Sequence, residues 1–397
     1  MKYTREYFEQ MPVRQGTMST KWDWCNTRFK LPADAKVLPM WVADMDFYSP
    51  REVIEAVKMR ADLGCWGYTC KTPELFDAIV GWVARRYGWQ TAREEICLTP
   101  GVIPGFHMAI QAFTNPGDGV IIQPPVYYPF KSGVEINGRV VVNNPLKEKD
   151  GEWTIDFDDL EAKAKDPHTT MMIFCNPHNP AGRAWSAEDV ARVAGICECH
   201  GVVLVSDEIH ADLIMPGHEH HAACAVCPDL KNNCVTFYAP SKTFNLAGLQ
   251  TAYAVIPGAE LRSKFQKALE VAHLGIANSF GTAAMIAAYT HCDDYVTALC
   301  EYVDANMDFM KEFIETRLPE LKMKKSQATY MVWVDFRGTG MNADEIENFI
   351  LYKAKIATDM GRWFGPGGEG WLRFNLAVPR ALLEKALLQL EAALKNR

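Results

Sequence analysis

The sequence predicts an α/β protein: a large domain with a mostly parallel sheet flanked by helices, and a smaller α+β domain beside it. Three observations predict it. Short apolar runs rich in β-branched residues recur between turn residues, at VIIQ (120–123), VVV (140–142), TMMIF (170–174), VVLVS (202–206) and VTFY (235–238). Helical stretches separate them, the pattern of strands buried on both faces and joined by crossover helices. The last third reads differently, with two long helical stretches at about 259–273 and 293–317 ahead of a strand-like YMVWVDF at 330–336.

Each element has its own signal. Ser49-Pro50 opens a helix, with Ser as N-cap and Pro in the first turn. Val53, Ile54, Val57 and Leu63 supply its apolar stripe, and Gly64 ends it. Thr72-Pro73 repeats the signal for a helix running towards Gly88, and ICLTP is a strand that leads into a further helix at Gly101. The stretch 186–200 starts at Ser186 and stops at Gly201. After YMVWVDF come a helix near 343–354, a strand at WLRFNLA and a final helix from 380. The central domain spans 46–285, and the N-terminal arm, 1–45, joins 286–397 in the smaller domain.

A chain of 397 residues, 48% hydrophobic and 23% charged, has the material for a large core. That excludes a disordered tail, a collagen-like chain and a small disulfide scaffold. The 41 basic and 49 acidic residues leave a net charge of −8, the wrong sign for a dedicated nucleic-acid binder. No apolar run nears the ~18 residues of a membrane span. MKYTREYFEQMP lacks the apolar stretch of a secretory signal, so a cytoplasmic protein that binds neither membrane nor nucleic acid is expected. Twelve cysteines, scattered from Cys25 to Cys300, read as reduced thiols. His218, His220, His221, Cys224 and Cys227 include one CxxC but no second, and Pro216, Gly217 and Pro228 surround them. They read as a surface loop, and no metal is expected.

Open α/β sheets bind ligands at the carboxyl ends of their strands. Three polar, turn-rich segments lie there: NPHNPAG after TMMIF, DEIH after VVLVS, and the segment from Ala239 through Lys242 to TFNLAGLQ after VTFY. Asp207 alone reads as a helix cap, and Lys242 alone as a solvated lysine. Together they suggest one cofactor. A lysine amine forms a Schiff base with an aldehyde, and a carboxylate keeps the ring nitrogen of pyridoxal phosphate protonated, making the ring an electron sink.

The segments TPGVIPG, PPVYYPF, NPHNPAG, VSDEIH and APSKTFNLAGL, in this order, resemble pyridoxal-phosphate enzymes of fold type I. The chain is most similar to their cystathionine β-lyase (MalY/PatB-type) branch, among proteins related to class I/II aminotransferases. The resemblance runs from KWDW at 21–24 and MWVADMDF at 40–47 to LRFNLA at 372–377. It implies the following roles. Lys242 is the Schiff-base lysine, Asp207 pairs with the pyridine nitrogen, Asn179 bonds the ring 3-oxygen, and Tyr127 stacks on the ring. Gly101, Val102 and Ile103 bring backbone N–H groups of a helix N-terminus to the phosphate, and Ser241 adds a hydroxyl. Arg373 clamps the substrate carboxylate with its planar fork, and as a strand residue it faces away from Leu372 and Phe374. Backbone from Val42 and Ala43 assists it. Tyr68 reaches the phosphate across a homodimer interface. His210 stands where many aminotransferases place a tyrosine, a feature of the lyase branch. Two positions depart from the common pattern: Ala239, where many relatives have a second serine, and Gln250, where many aminotransferases have an arginine.

The implied reaction is α,β-elimination. Lys242 removes the α-proton of an amino-acid substrate such as L-cystathionine or a cysteine S-conjugate, and the β-thiolate departs. Pyruvate and ammonia are left. Two other readings share the same pocket: an aminotransferase, and a regulatory protein that binds the cofactor and acts through a protein partner.

Overall fold

The computed structural model of the chain describes residues 2–275 and 277–397. Its central sheet holds β1 (Ile96–Thr99), β2 (Gly119–Ile122), β3 (Val140–Asn143), β4 (Thr169–Cys175), β5 (Val203–Asp207), β6 (Cys234–Tyr238) and β7 (Ala252–Val255). Their spatial order is β1-β7-β6-β5-β4-β2-β3. Side chains alternate across a strand, so a strand covered on both faces is apolar at nearly every position. In β4, Met171, Ile173 and Cys175 enter the core on one face, and Met172 and Phe174 enter the core on the other. The VVV run departs from the expected burial. It forms the sheet edge, and Val140 is 54% exposed.

Pairing is parallel from β3 through β2, β4 and β5 to β6, while β7 runs antiparallel to both β6 and β1. The run AYAV was not among the expected strands. Half of it is alanine, a weak strand former. Burial between two neighbours decides its state instead, and all four residues are buried. Because β7 runs against the rest, its start lies on the edge where the other strands end.

The helices include α1 (Arg51–Asp62), α2 (Pro73–Tyr87), α3 (Val102–Phe113), α4 (Ala187–His200), α5 (Ala259–Val271), α6 (Ser279–His291), α7 (Asp293–Arg317) and α8 (Arg380–Lys395). Thr72 caps α2 by accepting from the Leu75 N–H, and Gly88 closes it in the left-handed region at φ +64°. A reciprocal Ser186–Asp189 capping box opens α4. The start of α1 differs from expectation: Pro50, not Ser49, holds the N-cap position, and no side chain caps the helix. The expected helix near 343–354 is α-helical over Ala343–Asn348 and π-helical over Phe349–Lys353.

A second, antiparallel sheet orders Lys322–Met323, Met331–Asp335, Trp371–Asn375 and Asp359–Met360. The N-terminal arm attaches here. Leu38–Pro39 pairs in parallel with Ile356–Ala357, and the Asn375 N–H donates to the Met40 carbonyl at 2.9 Å.

Helix α3 lies close on β6 because Gly105 has no side chain. A methyl group there would stand 2.5 Å from Cε1 of the fully buried Phe237 ring. We expect Gly105→Ala to cost ~1–3 kcal/mol in urea unfolding, the usual range for overpacking. A loss below ~0.5 kcal/mol would show that the ring yields freely.

Candidate active site

The carboxyl ends of β1, β2, β4, β5 and β6 and the start of β7 open on one cavity of about 500 Å³. Gly101, Val102, Ile103, Tyr127, Asn179, Asp207, His210, Ser241 and Lys242 all lie on its wall, with Ala43 of the arm. Arg373 stands behind the wall, joined to it through Asn179. Val42 precedes Ala43 and gives its carbonyl to Asn375 Nδ2 at 2.8 Å. Tyr68 is not brought to the cavity and is 95% exposed.

Asp207 is the last residue of β5 and sits level with Cys175 of β4. The Ile209 N–H donates to its Oδ1 at 3.1 Å. Burial pushes the carboxyl up to about 7, with Glu208 adding to the rise while the Ile209 N–H and Lys242 oppose it. Glu208, next in the chain, is also buried but fully partnered. It accepts from Ser206 Oγ at 2.8 Å, the Ala223 N–H at 3.1 Å and Tyr238 Oη at 2.6 Å, and lies 2.8 Å from His220 Nε2. His220 is thereby drawn inside, and Cys224 is buried on the turn Ala223–Val226. The segment expected as a surface loop is one only at its tip, Pro216–Glu219. Among the described residues no three His, Cys, Asp or Glu side chains form a group that could hold a metal.

Lys242 projects from the single turn Pro240–Thr243, and its Nζ donates to the Ala43 carbonyl at 2.8 Å. Burial lowers the amine to about 8, against the pull of Asp44 and Asp207 and with help from Arg373. His210 is buried, its Nδ1 has no partner among the described residues, and burial beside Lys242 and Arg373 lowers it to about 3. The ring is therefore neutral at pH 7. Burial raises the Tyr127 phenol well above its usual range. The Tyr127 N–H donates to the Asn179 carbonyl at 3.1 Å, which couples the two walls.

Arg373 is only 2% exposed, and its strand neighbours Leu372 and Phe374 are buried as well. Its fork is partly engaged, which the sequence reading did not anticipate. Nη1 donates to Asn179 Oδ1 at 2.9 Å, and Nη2 forms an ion pair with Asp359, the residue directly across the sheet. The Nε–H has no partner among the described residues. With Oδ1 of Asn179 committed to Arg373, the amide N–H₂ is its remaining donor group.

The first turn of α3 leaves backbone N–H groups uncapped at the cavity. No side chain caps it at Gly101, and Pro104 supplies no N–H, so the N–H groups of Val102 and Ile103 are left for a ligand. Among the described residues Lys242 is the one lysine or arginine on the cavity wall. Gln250 and Thr251 line it from the start of β7, and Ala239 is packed into the core.

Sequence reasoning missed Asp359, Asn245 and Asn375. The last two clamp the arm. Asn245 accepts from the Met45 N–H at 3.1 Å and donates to the Met45 carbonyl at 2.9 Å, and Asn375 Nδ2 donates to the Val42 and Asp44 carbonyls at 2.8 Å each. The Asn in TFNLAG and the Asn in LRFNLA were both within quoted motifs, yet their side-chain reach is a tertiary property.

The family model described as aminotransferase class I and II matches residues 37–390. The chain is 45% identical to cystathionine β-lyase PatB of Bacillus subtilis over 98% of this chain and 99% of that one. It is 30% identical to protein MalY of Escherichia coli, with 98% of each covered. It superposes with a TM-score of 0.94 on cystalysin of Treponema denticola, a structure that contains a pyridoxal 5'-phosphate cofactor, at 37% identity and 98% coverage of each.

The Asp207 environment sets a pH dependence for the ligand-free protein. Between its ordinary 3.8 and about 7, the folded chain holds a proton that the unfolded chain has lost. The contribution of this group is therefore fully present below pH 3.8 and lost as pH rises through about 7. Asp207→Asn should stabilise the ligand-free protein little near pH 4 and by up to about 4 kcal/mol near pH 7.5 in urea unfolding. A difference that stays flat across that range would show that Asp207 ionises at no cost.

Proposed function

Since the chain belongs to the aminotransferase class I and II family, we propose that it is a pyridoxal-phosphate-dependent carbon–sulfur β-lyase. It cleaves L-cystathionine, or a related cysteine S-conjugate, with water to a thiol such as homocysteine, pyruvate and ammonia. The observation that carries the proposal is the convergence of Lys242 and Asp207 on one cavity, in a chain that matches a cystathionine β-lyase along its length.

The residues present fit the cofactor. A cavity of about 500 Å³ holds a group of its size. Among the described residues the buried Asp207 carboxyl has no cationic hydrogen-bond donor, which a protonated ring nitrogen would provide. The uncapped start of α3 offers N–H groups to the phosphate, and Ser241 a hydroxyl. Asn179 would donate to the 3-oxygen, His210 would sit beside it, and Tyr127 would lie along the ring. Bound there, the cofactor supplies an electron sink for the charge that develops at the substrate α-carbon.

Lys242 would hold the cofactor and then act as the base. An amine lowered to about 8 keeps a usable neutral fraction near neutral pH, so Nζ can take the α-proton. Nζ then carries a proton that the departing sulfur can accept. Arg373, through its free N–H groups, and backbone from Val42 and Ala43 would orient the α-carboxylate. The central domain, 46–285, would carry the cofactor, and the arm with 286–397 would cover the substrate.

The site would be completed by a second copy of the chain. Tyr68 is 95% exposed and its neighbour Trp66 60%, a large aromatic exposure for side chains in one short segment. In a homodimer the partner's Tyr68 would reach the phosphate. No helix among the described residues is long and apolar enough to cross a membrane, and the proposal places the enzyme in the cytoplasm.

Lys242→Ala should lose the visible absorbance of bound cofactor and on the order of 10³-fold or more in pyruvate release. A variant that keeps both would remove Lys242 from its role. In a single turnover with cystathionine, pyruvate should form at least about tenfold faster than pyridoxamine phosphate, a barrier difference of roughly 1.4 kcal/mol. Accumulation of pyridoxamine phosphate as the main product would instead mark an aminotransferase.

A further inference from the structure

We infer that Arg28 receives a distal carboxylate of the substrate, so that the site selects thioethers bearing an acid at both ends. The inference rests on the β-lyase reading and deepens it to a substrate class.

The turn Gly361–Phe364 presents two aromatic rings in succession. Phe364 carries the Arg373 guanidinium 5.0 Å from its ring centre, and Trp363 carries that of Arg28 at 4.5 Å. Tyr128, the neighbour of Tyr127 on the cavity wall, stands against both rings, 5.9 Å from Phe364 and 6.4 Å from Trp363. Two guanidinium groups therefore flank one aromatic cluster, which reaches the cavity wall through Tyr127, 5.5 Å from Tyr128.

Their partners differ. Arg373 is buried and paired with Asp359. Arg28 is half-buried and forms no ion pair among the described residues. Asp359 faces Arg373, and no carboxylate among the described residues contacts Arg28, so this side of the site keeps an unpaired positive charge. Burial raises the Asp359 carboxyl above its usual range, and the fields of Arg373 and then Arg28 oppose that rise. A half-buried guanidinium with free N–H groups suits a carboxylate. With the α-carboxylate at Arg373, an amino-acid thioether extending along Tyr128 and Trp363 brings its second acid to Arg28. L-Cystathionine has that form; cysteine and simple S-alkyl cysteines do not.

The test compares L-cystathionine with S-aminopropyl-L-cysteine, the same thioether without the distal carboxylate, on the holoenzyme. Wild-type kcat/KM should favour cystathionine by at least about tenfold, mostly through KM. Arg28→Met should bring the two within about threefold, and Arg28→Lys should retain part of the preference. Binding of diaminosuberate, the all-carbon counterpart of cystathionine that has no leaving group, should weaken by a similar factor in Arg28→Met. Equal loss on both substrates, or a lowered Tm with both Kd values unchanged, would reduce Arg28 to a packing residue and overturn the inference. Pyruvate released from both substrates at the wild-type ratio in Arg28→Met would also overturn it, while the β-lyase reading stands. No pyruvate from either substrate with the wild-type enzyme would overturn both.

Discussion

The ion pair between Lys21 and Asp46 anchors the segment on which the site depends. Both side chains are wholly buried, with Nζ 2.8 Å from Oδ2. A buried pair holds only if its other hydrogen-bonding capacity is met. Here Trp22 Nε1 donates to the second Asp46 oxygen at 2.8 Å, and Nζ also donates to the Asp44 carbonyl at 3.0 Å. The strand of backbone held this way, Trp41 to Phe47, passes between the two sheets. It offers Ala43 to Lys242 on one side and is gripped by Asn375, from the strand of Arg373, on the other. Lys242, which follows a strand of one sheet, and Arg373, which lies in a strand of the other, are the proposed base and carboxylate clamp, and the arm touches the elements of both.

Inside the cavity, burial acts on three groups in one sense. It raises Asp207 and lowers Lys242 and His210, so each moves towards its neutral form. Such shifts cluster where a site excludes water and postpones charge until a ligand arrives. Glu208 shows the contrast. Equally buried and adjacent in the chain, it has several donors on its oxygens and serves structure.

Much of this was legible in the sequence. Parallel strands between two helical layers need continuous apolar runs, and such runs marked β2, β4, β5 and β6. The rule that ligands gather at strand ends then led to Asp207 and Lys242 and to the segment NPHNPAG, in which the resemblance picked out Asn179. The rule fails for β7, whose alanines hide it and whose start faces the cavity with Gln250 and Thr251. Asp359 was illegible for another reason. An aspartate in a short strand reads as solvent-exposed, and only the cross-strand register with Arg373 explains its burial. Tyr68 was proposed through resemblance alone, and the single chain leaves it in solvent.

The network around Glu208 has a kinetic meaning. Its contacts join the end of β5, the end of β6 and the turn at Ala223 into one rigid unit, directly behind Asp207. A wall fixed in this way does not need to order itself around what enters. Capture then resembles the docking of a small molecule on a finished surface, where encounter and loss of water set the rate.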